Sequence, residues 1–438
     1  MGDRYVIVGN GAAGVAAADT IRMRDDAADI TILGAEKVPF YSRPGLAYML
    51  TGFVPPRQLF SRPDKLYEER RIRRLIGEVT RVEAAAHKVT LSDGFTMRYD
   101  RLLIAVGARA TRPDLPGIDL DGVVYLDDFE GTEEIIRLSR KSKRAVVVGG
   151  GITALELVEG LVARGVETHY LMRGDRYWSN VLEPSESALV EERLHHDGVR
   201  IHKGQEIATI TGRKGRVTGV VTKDGTELRC EMVGVAVGVA PRLELAQQIG
   251  LPTGRGIFTG PTFETDVPDV FAAGDVAEVM DPVTGKRGVD SLWSVALEQG
   301  RAAGHNMAGQ TTPYLRPAPF NVTKIGGITT TIIGAVGSGG RDNDLVTVSR
   351  GDSFQWRERL EAFGITLDDG GNRIRLLVGE DRIVGAVVMG DQTHSRTLQR
   401  VIRERVDIRD IRERLLGQPG ELGSLLAQVM GRAAPGVA

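Results

Sequence analysis

Two glycine-rich segments, each directly after a short apolar run, constrain this chain more than any other feature. The first is Gly9-x-Gly11-x-x-Gly14, which follows the apolar residues 5–8. This spacing predicts a strand, a tight turn and a helix whose N-terminus faces a pyrophosphate. The glycines allow the turn, the close approach of a phosphate, and the close packing of the helix on the strand.

The second segment repeats this pattern about 140 residues later. Gly149-x-Gly151-x-x-Ala154 follows the apolar residues 145–148, and Phe271-Ala272-Ala273-Gly274-Asp275 comes further along. Unpaired backbone N–H groups and the helix dipole at each turn would bind phosphate. Two such fingerprints indicate that two nucleotides are held at once, as a flavin and a nicotinamide are when hydride passes between them.

Composition places the chain among ordinary globular proteins. It has 438 residues, which is too many for one core, and a net charge of −2, which favours neither nucleic acid nor an anionic membrane. No apolar stretch approaches the length of a membrane span, and no signal segment opens the sequence, so a cytoplasmic protein is expected. The one cysteine, Cys230, excludes a disulfide framework or an iron–sulfur cluster within this chain. No histidine is interpreted as a metal ligand.

The predicted fold class is α/β, with two Rossmann-like nucleotide-binding domains and a smaller α+β domain at the C-terminus. Residues 1–110 and 244–315 form the first nucleotide domain, residues 111–243 form the second, inserted one, and residues 316–438 form the third. The third domain opens with strands predicted at residues 328–336, 346–349, 374–378 and 383–389.

With both fingerprints and Gly274-Asp275 in place, the chain resembles the pyridine nucleotide-disulfide oxidoreductase superfamily. Residues 39–46 (PFYSRPGL) and Trp293-Ser294-x-Ala296-x-x-Gln299-Gly300 are similar to rubredoxin reductases, ferredoxin reductases and the FAD part of nitrite reductases. The segment 324–327 (KIGG) is similar to the nitrite-reductase branch. The resemblance implies a glutathione-reductase-like fold that binds FAD and either NADPH or NADH.

The resemblance also implies which residues form the two sites. The FAD site would contain Gly9, Gly11, Ala12, Ala13, Gly14, Glu36, Arg43, Pro44, Val79, Ala105, Gly107, Asp275, Trp293 and Gln299. The nicotinamide-nucleotide site would contain Gly149, Gly151, Ile152, Met172, Arg173 and Gly238. Glu156 is the candidate catalytic residue at the nicotinamide–flavin contact, with an exposed first-turn carboxylate as its alternative interpretation.

Three departures from the family pattern refine this prediction. The redox cysteines of disulfide reductases are absent, and Pro44 stands where single-cysteine relatives carry their nucleophile. The acidic residue expected after the second strand is displaced, which leaves Glu36 as the candidate for the adenosine ribose. Met172 replaces the acid of NADH-specific relatives, and Arg173 could bind a 2′-phosphate, so NADPH is favoured over NADH.

The resulting hypothesis is an FAD-dependent NAD(P)H oxidoreductase. It would pass electrons from the flavin, without a thiol, to a small carrier protein such as a rubredoxin or ferredoxin. Two alternatives stay open: an oxidase or quinone-type reductase with a small acceptor, and an FAD subunit of a larger redox complex. The sequence leaves open whether the chain is a monomer or a homodimer.

Overall fold

The computed structural model describes residues 2–281, 285–336, 345–347, 357–358, 363–369 and 372–433. The chain divides into two compact units. The first comprises Met1–Pro113, Val124–Lys141 and Gly238–Arg316, and the second comprises Asp114–Val123, Ser142–Val237 and Pro317–Ala438.

The helices of the described residues are α1 (Ala12–Arg24), α2 (Gly45–Thr51), α3 (Asp64–Glu69), α4 (Phe129–Ser139), α5 (Ile152–Ala163), α6 (Pro184–His196), α7 (Glu244–Gln248), α8 (Trp293–Met307), α9 (Ser395–Arg403), α10 (Arg412–Gly417) and α11 (Leu422–Ala433). The strands are β1 (Arg4–Val8), β2 (Asp29–Gly34), β3 (Ile72–Ile76), β4 (Val79–Glu83), β5 (Lys88–Leu91), β6 (Thr96–Arg98), β7 (Arg101–Ile104), β8 (Ala108–Ala110), β9 (Val123–Val124), β10 (Arg144–Val148), β11 (Glu167–Met172), β12 (Arg200–Lys203), β13 (Ile207–Arg213), β14 (Arg216–Thr222), β15 (Glu227–Arg229), β16 (Met232–Val235), β17 (Val239–Pro241), β18 (Ile257–Thr259), β19 (Val270–Ala272), β20 (Ala277–Met280), β21 (Arg287–Gly288), β22 (Phe320–Ile325), β23 (Ile328–Val336), β24 (Leu345–Thr347), β25 (Arg357–Glu358), β26 (Phe363–Asp369), β27 (Asn372–Val378) and β28 (Ile383–Met389).

The first unit is built on a parallel sheet in the order β19-β7-β1-β2-β3. Its central strand β1 is apolar and buried from Tyr5 to Val8, as expected for a strand covered on both faces. Helix α8 packs along α1. At Gly300 an added Cβ would lie 2.2 Å from the Ala13 carbonyl oxygen, so the two helices approach too closely for any side chain there.

The second unit repeats this architecture with the parallel order β12-β11-β10-β16 and β9 at the edge. Strand β10, the turn at residues 149–151 and helix α5 correspond to β1, the turn at residues 9–11 and helix α1. The predicted internal repeat of a strand–turn–helix unit is therefore present in the structure.

The C-terminal part of the second unit is an antiparallel sheet in the order β25-β24-β23-β28-β27-β26, with β22 paired to β23. Helices α9, α10 and α11 bury apolar side chains against it, including Leu398, Leu415 and Leu425. The predicted strand 328–336 matches β23. For the predicted strand 346–349, β24 covers residues 345–347, and the rest lies outside the described residues.

The predicted α/β fold class with parallel Rossmann-like sheets is confirmed. The division into three domains at residues 110, 243 and 315 stays a prediction. Among the described helices, none combines the length and the apolarity that crossing a membrane requires.

Candidate functional site: two dinucleotide turns

The first turn contains glycines of two kinds. Gly9 has a φ of +122°, and an added Cβ would lie 2.1 Å from the Ala105 carbonyl oxygen. An added Cβ at Gly14 would lie 2.0 Å from the carbonyl oxygen of Gly9. These two positions must be glycine because the protein packs against itself there. The predicted contact of Ala105 with FAD stays a prediction.

Gly11 is different, because a Cβ added there would meet no protein atom within 4 Å. Gly11 is the N-cap residue of α1, it supplies no side-chain cap, and the first turn carries no acidic residue. Open space therefore adjoins the start of this helix, with Ala12 and Ala13 as small neighbours. A dinucleotide pyrophosphate fits this arrangement, since it supplies the negative charge and the acceptors that the helix end lacks.

The second turn reproduces the arrangement of the first. Gly149 has a φ of +150°, and an added Cβ would lie 2.2 Å from the Ala236 carbonyl oxygen and 2.8 Å from the Ala154 Cβ. Gly151 faces open space at the start of α5, again with no side-chain cap and no acidic residue in the first turn. The same geometry therefore offers a second pyrophosphate cradle, which Ile152 borders as the first residue of the helix.

Gly274 precedes Asp275 in the first unit and has a φ of +83°. Its N–H donates to Gln299 Oε1 at 2.8 Å, and Gln299 is completely buried in the middle of α8. The helix itself begins at Trp293, whose ring stacks on Phe40 at 5.5 Å. Gln299 thus fixes the Gly274-Asp275 turn through a buried hydrogen bond. The predicted contacts of Gln299, Asp275 and Trp293 with FAD stay predictions.

The loop before α2 contains a network centred on Glu36. Arg43 Nη2 lies 2.6 Å from Glu36 Oε1, and Tyr41 donates its hydroxyl to Glu36 Oε2 at 2.7 Å. Arg43 also donates to the Asp127 carbonyl oxygen at 2.5 Å. Pro44 then occupies the N-cap position of α2. Both predicted residues, Glu36 and Arg43, are brought together.

The environment of Arg43 favours its charged form. Burial lowers the pKa of the Arg43 guanidinium, but Tyr41, Glu36 and the nearby acidic residues raise it by more, so its pKa lies above the ordinary value. Both oxygens of Glu36 already have a partner, so a ribose hydroxyl would share them. Tyr41 and Asp127 were not predicted as site residues, although Tyr41 lies inside the segment that carries the resemblance.

A second unpredicted contact lies where β2 ends. An added Cβ at Gly34 would come within 3.0 Å of Asn10 Cβ, so the glycine makes room for this side chain of the first turn. Asn10 Oδ1 accepts a hydrogen bond from the Tyr67 hydroxyl at 2.6 Å. A side chain at position 34 would therefore crowd Asn10, which gives a physical reason for the glycine here.

In the second unit, Met172 ends β11 with only 1% of its surface exposed, and Arg173 follows it on the exposed surface. Arg173 forms no hydrogen bond or ion pair with the residues that the structure describes. In the β11–β12 register Met172 pairs with Lys203, whose Nζ lies 2.6 Å from Glu191 Oε2. Of Lys203 and Arg173, only Arg173 lacks a charged partner among the described residues, and its contact with a 2′-phosphate stays a prediction.

The remaining predicted residues lie at strand and helix ends. Val79 begins β4 and is buried, while Gly107 (φ +67°) and Gly238 (φ +127°) precede β8 and β17. Glu156 is half-buried one turn into α5. Their contacts with nucleotides stay predictions.

Cys230 has 1% of its surface exposed and lies just after β15. Burial raises the pKa of its thiol to about 12, and the Glu231 carboxylate contributes to this shift. A thiol of this pKa stays protonated at neutral pH, and thiolate is the reactive form.

These two cradles define a protein that holds two dinucleotides, and comparison with known proteins assigns its family. The chain matches the family "Pyridine nucleotide-disulphide oxidoreductase" over residues 3–300, and it belongs to this family. It is 36% identical to a probable ferredoxin reductase of Castellaniella defragrans, over 71% of this chain and 77% of that protein.

Two further relatives span almost the whole chain. It is 28% identical to the nitrite reductase [NAD(P)H] of Bacillus subtilis over 95% of its length but covers only 49%, about half, of that protein. Its fold is similar to that of putidaredoxin reductase in a covalent complex with putidaredoxin, with a TM-score of 0.84 and 25% identity over 98% of this chain and 99% of that one. The chain is thus an oxidoreductase of the class that uses FAD and NAD(P)H.

Proposed function

We propose that this protein takes hydride from NADPH or NADH and delivers electrons, through FAD, to a small one-electron carrier protein. The observation that carries the proposal is the position of its single cysteine. Cys230 is buried, its pKa is raised to about 12, and Pro44 stands in the loop where a redox thiol would act. Electrons must therefore leave the bound flavin without passing through a cysteine of this chain.

The residues of the chain supply binding and orientation. The open turn at Gly11 would hold the FAD pyrophosphate. The Glu36–Arg43 pair, fixed by Tyr41 and the Asp127 carbonyl, would hold the loop before α2 in one conformation beside the FAD. The open turn at Gly151 would hold the donor pyrophosphate. FAD, when bound, supplies the chemistry that accepts a hydride and gives up electrons singly.

We further propose that the donor is NADPH rather than NADH. The support is that Met172 is apolar and buried whereas Arg173 is exposed and unpaired among the described residues. A guanidinium forms charged, forked hydrogen bonds with a phosphate, and no acid at position 172 would repel one.

The carrier is proposed from the relatives. One of them is named a ferredoxin reductase, and a structural relative was solved in complex with putidaredoxin. A rubredoxin or ferredoxin would accept one electron at a time from the reduced protein. We place the reaction in the cytoplasm because NAD(P)H is a cytoplasmic reductant.

A second candidate function rests on the length comparison. Because the chain covers about half of a nitrite reductase, it could serve as the FAD-binding part of a larger redox complex. The electrons would then pass to a partner subunit rather than to a diffusing carrier.

An anaerobic titration of the FAD-loaded chain, followed by its visible spectrum, tests the proposal. NADPH should bleach the flavin absorbance stoichiometrically and faster than NADH, and added ferredoxin or rubredoxin should restore it. Failure of both nucleotides to bleach the flavin would refute the proposed donor half-reaction. If the reduced flavin does not respond to carriers but is rapidly reoxidised when air is admitted, the oxidase alternative is favoured.

A further inference from the structure

A glycine turn in the C-terminal sheet contacts helix α5. This helix begins at the open turn of residues 149–151, which is the proposed binding site for the donor pyrophosphate and is called the donor cradle below. The turn Gly326–Gly327 joins β22 to β23, and its two residues have φ values of +55° and +73°. Two consecutive left-handed residues form the tightest hairpin connection. Gly327 donates its N–H to Glu159 Oε1 of helix α5 in a long hydrogen bond of 3.4 Å.

The same turn also rests on helix α6. A Cβ added to Gly326 would lie 3.3 Å from Val190 and from the Arg193 Cβ, whereas a Cβ added to Gly327 would meet no protein atom within 4 Å. The turn is therefore in close contact with α6 on one side and bonded to α5 on the other. Both helices belong to the unit that carries the second dinucleotide turn.

The Glu159 carboxyl group, which accepts this hydrogen bond, lies where a negative charge is unfavourable. Burial raises the pKa of Glu159 to about 7, and Glu156 on the same helix adds to the shift. The N–H groups of Gly327 and Gly326, and then Lys324 on β22, oppose it. The Tyr177 hydroxyl, in the segment after β11, also faces these carboxylates and is completely buried.

Such a raised pKa has a definite consequence for stability. A carboxyl with a pKa of 4.5 when unfolded and about 7 when folded contributes most below pH 4.5, and the contribution declines as the pH rises to 7. An uncharged side chain would stabilise this site at neutral pH. Buried ionisable groups that lower stability at neutral pH, as the Glu159 carboxyl does, are concentrated at functional sites.

We propose that Glu159 is a positioning residue for the nicotinamide nucleotide, holding α5 in place through the Gly326–Gly327 turn. Glu159 lies one turn beyond Glu156 on the same face of α5, and two turns beyond Ile152 at the donor cradle. Fixing the helix at Glu159 therefore fixes the orientation of both residues toward the donor. This inference rests on the proposed function, because it assigns α5 to the binding of NAD(P)H.

The test compares Glu159→Ala and Glu159→Gln with the matched control Glu192→Gln, on the exposed face of α6. Donor affinity is measured by titrating the FAD-loaded chain with NADP⁺ or NAD⁺, flavin reduction by anaerobic stopped flow, and Tm by thermal denaturation, at pH 6 and pH 8. Because the titration needs no turnover, it reports on positioning separately from activity.

Glu159→Ala should weaken donor binding about five-fold or more and slow flavin reduction. Glu159→Gln keeps an acceptor oxygen for Gly327 but not the charge that strengthens the hydrogen bond, so at both pH values it should bind the donor as wild type does at pH 6. Wild type and Glu192→Gln should bind the donor more weakly at pH 6 than at pH 8, as Glu159 takes up a proton. Glu159→Gln should lose that part of the pH dependence and should have a higher Tm than wild type at pH 8.

The inference is overturned if Glu159→Ala matches wild type within two-fold in affinity and reduction rate at both pH values, even if its Tm changes. Should Glu159→Ala fail to fold, the pH dependence of Glu159→Gln relative to Glu192→Gln decides instead. A wild-type chain that binds no nicotinamide nucleotide would overturn the proposed function, and this inference with it. A wild-type chain that is reduced, with variants that behave identically, would overturn the inference alone.

Discussion

Arg375 and Glu186 form an ion pair inside the second unit, and both side chains have at most 1% of their surface exposed. Arg375, on β27, donates Nε to Glu186 Oε1 at 2.9 Å and Nη2 to Glu186 Oε2 at 3.1 Å. Nη2 also donates to the Val181 carbonyl oxygen at 2.7 Å. Glu186 Oε2 in turn accepts the N–H of Glu183 at the start of α6. One guanidinium thus fixes the beginning of α6 to the C-terminal sheet.

The magnitude follows from the burial of both charges. Arg375→Met leaves the Glu186 carboxylate buried with no counter-charge, which costs about 3–5 kcal/mol of unfolding free energy. For a unit of this size each kcal/mol lowers Tm by about 2–4 °C, so we expect a fall of about 6–20 °C. Glu186→Gln alone should also destabilise, but less, because Glu183 Oε1 still lies 3.9 Å from Arg375 Nε. The double variant removes both charges and should recover most of the loss.

Thermal denaturation of the four proteins, followed by far-UV circular dichroism, provides the double-mutant cycle. Arg396→Met is the matched control, because Arg396 is exposed on α9 and forms no ion pair with the described residues. Hydrogen exchange assigns the affected transition to the second unit, since a chain of two units need not unfold in one step. A Tm for Arg375→Met as high as that of the control, or a double variant less stable than both single ones, would contradict this reasoning.

Further changes test cofactor binding, donor choice and the absence of thiol chemistry. Gly11→Ala should keep the Tm of the apoprotein but lose FAD on gel filtration, whereas Gly14→Ala should lower Tm because its Cβ would lie 2.0 Å from a carbonyl oxygen; equal effects in both would refute the open-cradle interpretation. Arg173→Ala should lower kcat/KM for NADPH about 10- to 100-fold and spare NADH, because it removes a charged hydrogen bond of about 1.5–3 kcal/mol. Met172→Glu should shift the NADH/NADPH ratio of kcat/KM toward NADH, although burial of the new carboxylate should lower Tm; a ratio unchanged in both variants would show that the 2′ pocket lies elsewhere. Cys230→Ala should reduce a carrier protein within about two-fold of the wild-type rate, and loss of that activity in a folded variant would be evidence for a thiol step.

The sequence predicted the structure best at the two glycine fingerprints, where a few neighbouring residues determine both the backbone turn and the site beside it. Each glycine fingerprint lies within six residues, and its strand, turn and helix appear at the predicted places. The pattern could not separate the glycines required by protein packing, Gly9 and Gly14, from Gly11, which faces open space. For Gly9 that distinction depends on Ala105, which directly follows strand β7 about 100 residues away.

The contacts that fix the second unit were not predictable from pattern. Arg375 and Glu186 are 189 residues apart, and the capping box that contains Glu186 does not indicate this partner. From the sequence alone, an arginine in strand β27 is expected to point into solvent. Only the three-dimensional structure shows that α6 covers it. The segment 324–327 was noticed through a family resemblance, but its contact with Glu159 needed the three-dimensional structure.

Two polar contacts, rather than apolar packing alone, connect the C-terminal sheet to the helices of the donor-binding half. Arg375 fixes the start of α6, and the Gly326–Gly327 turn meets Glu159 of α5. Apolar residues of similar volume would often stabilise such positions as well or better. Hydrogen bonds, however, demand one distance and one direction, so they select a single orientation of each helix. Since α5 begins at the open turn of the donor cradle, we infer that the C-terminal sheet contributes to function by fixing the geometry of that cradle.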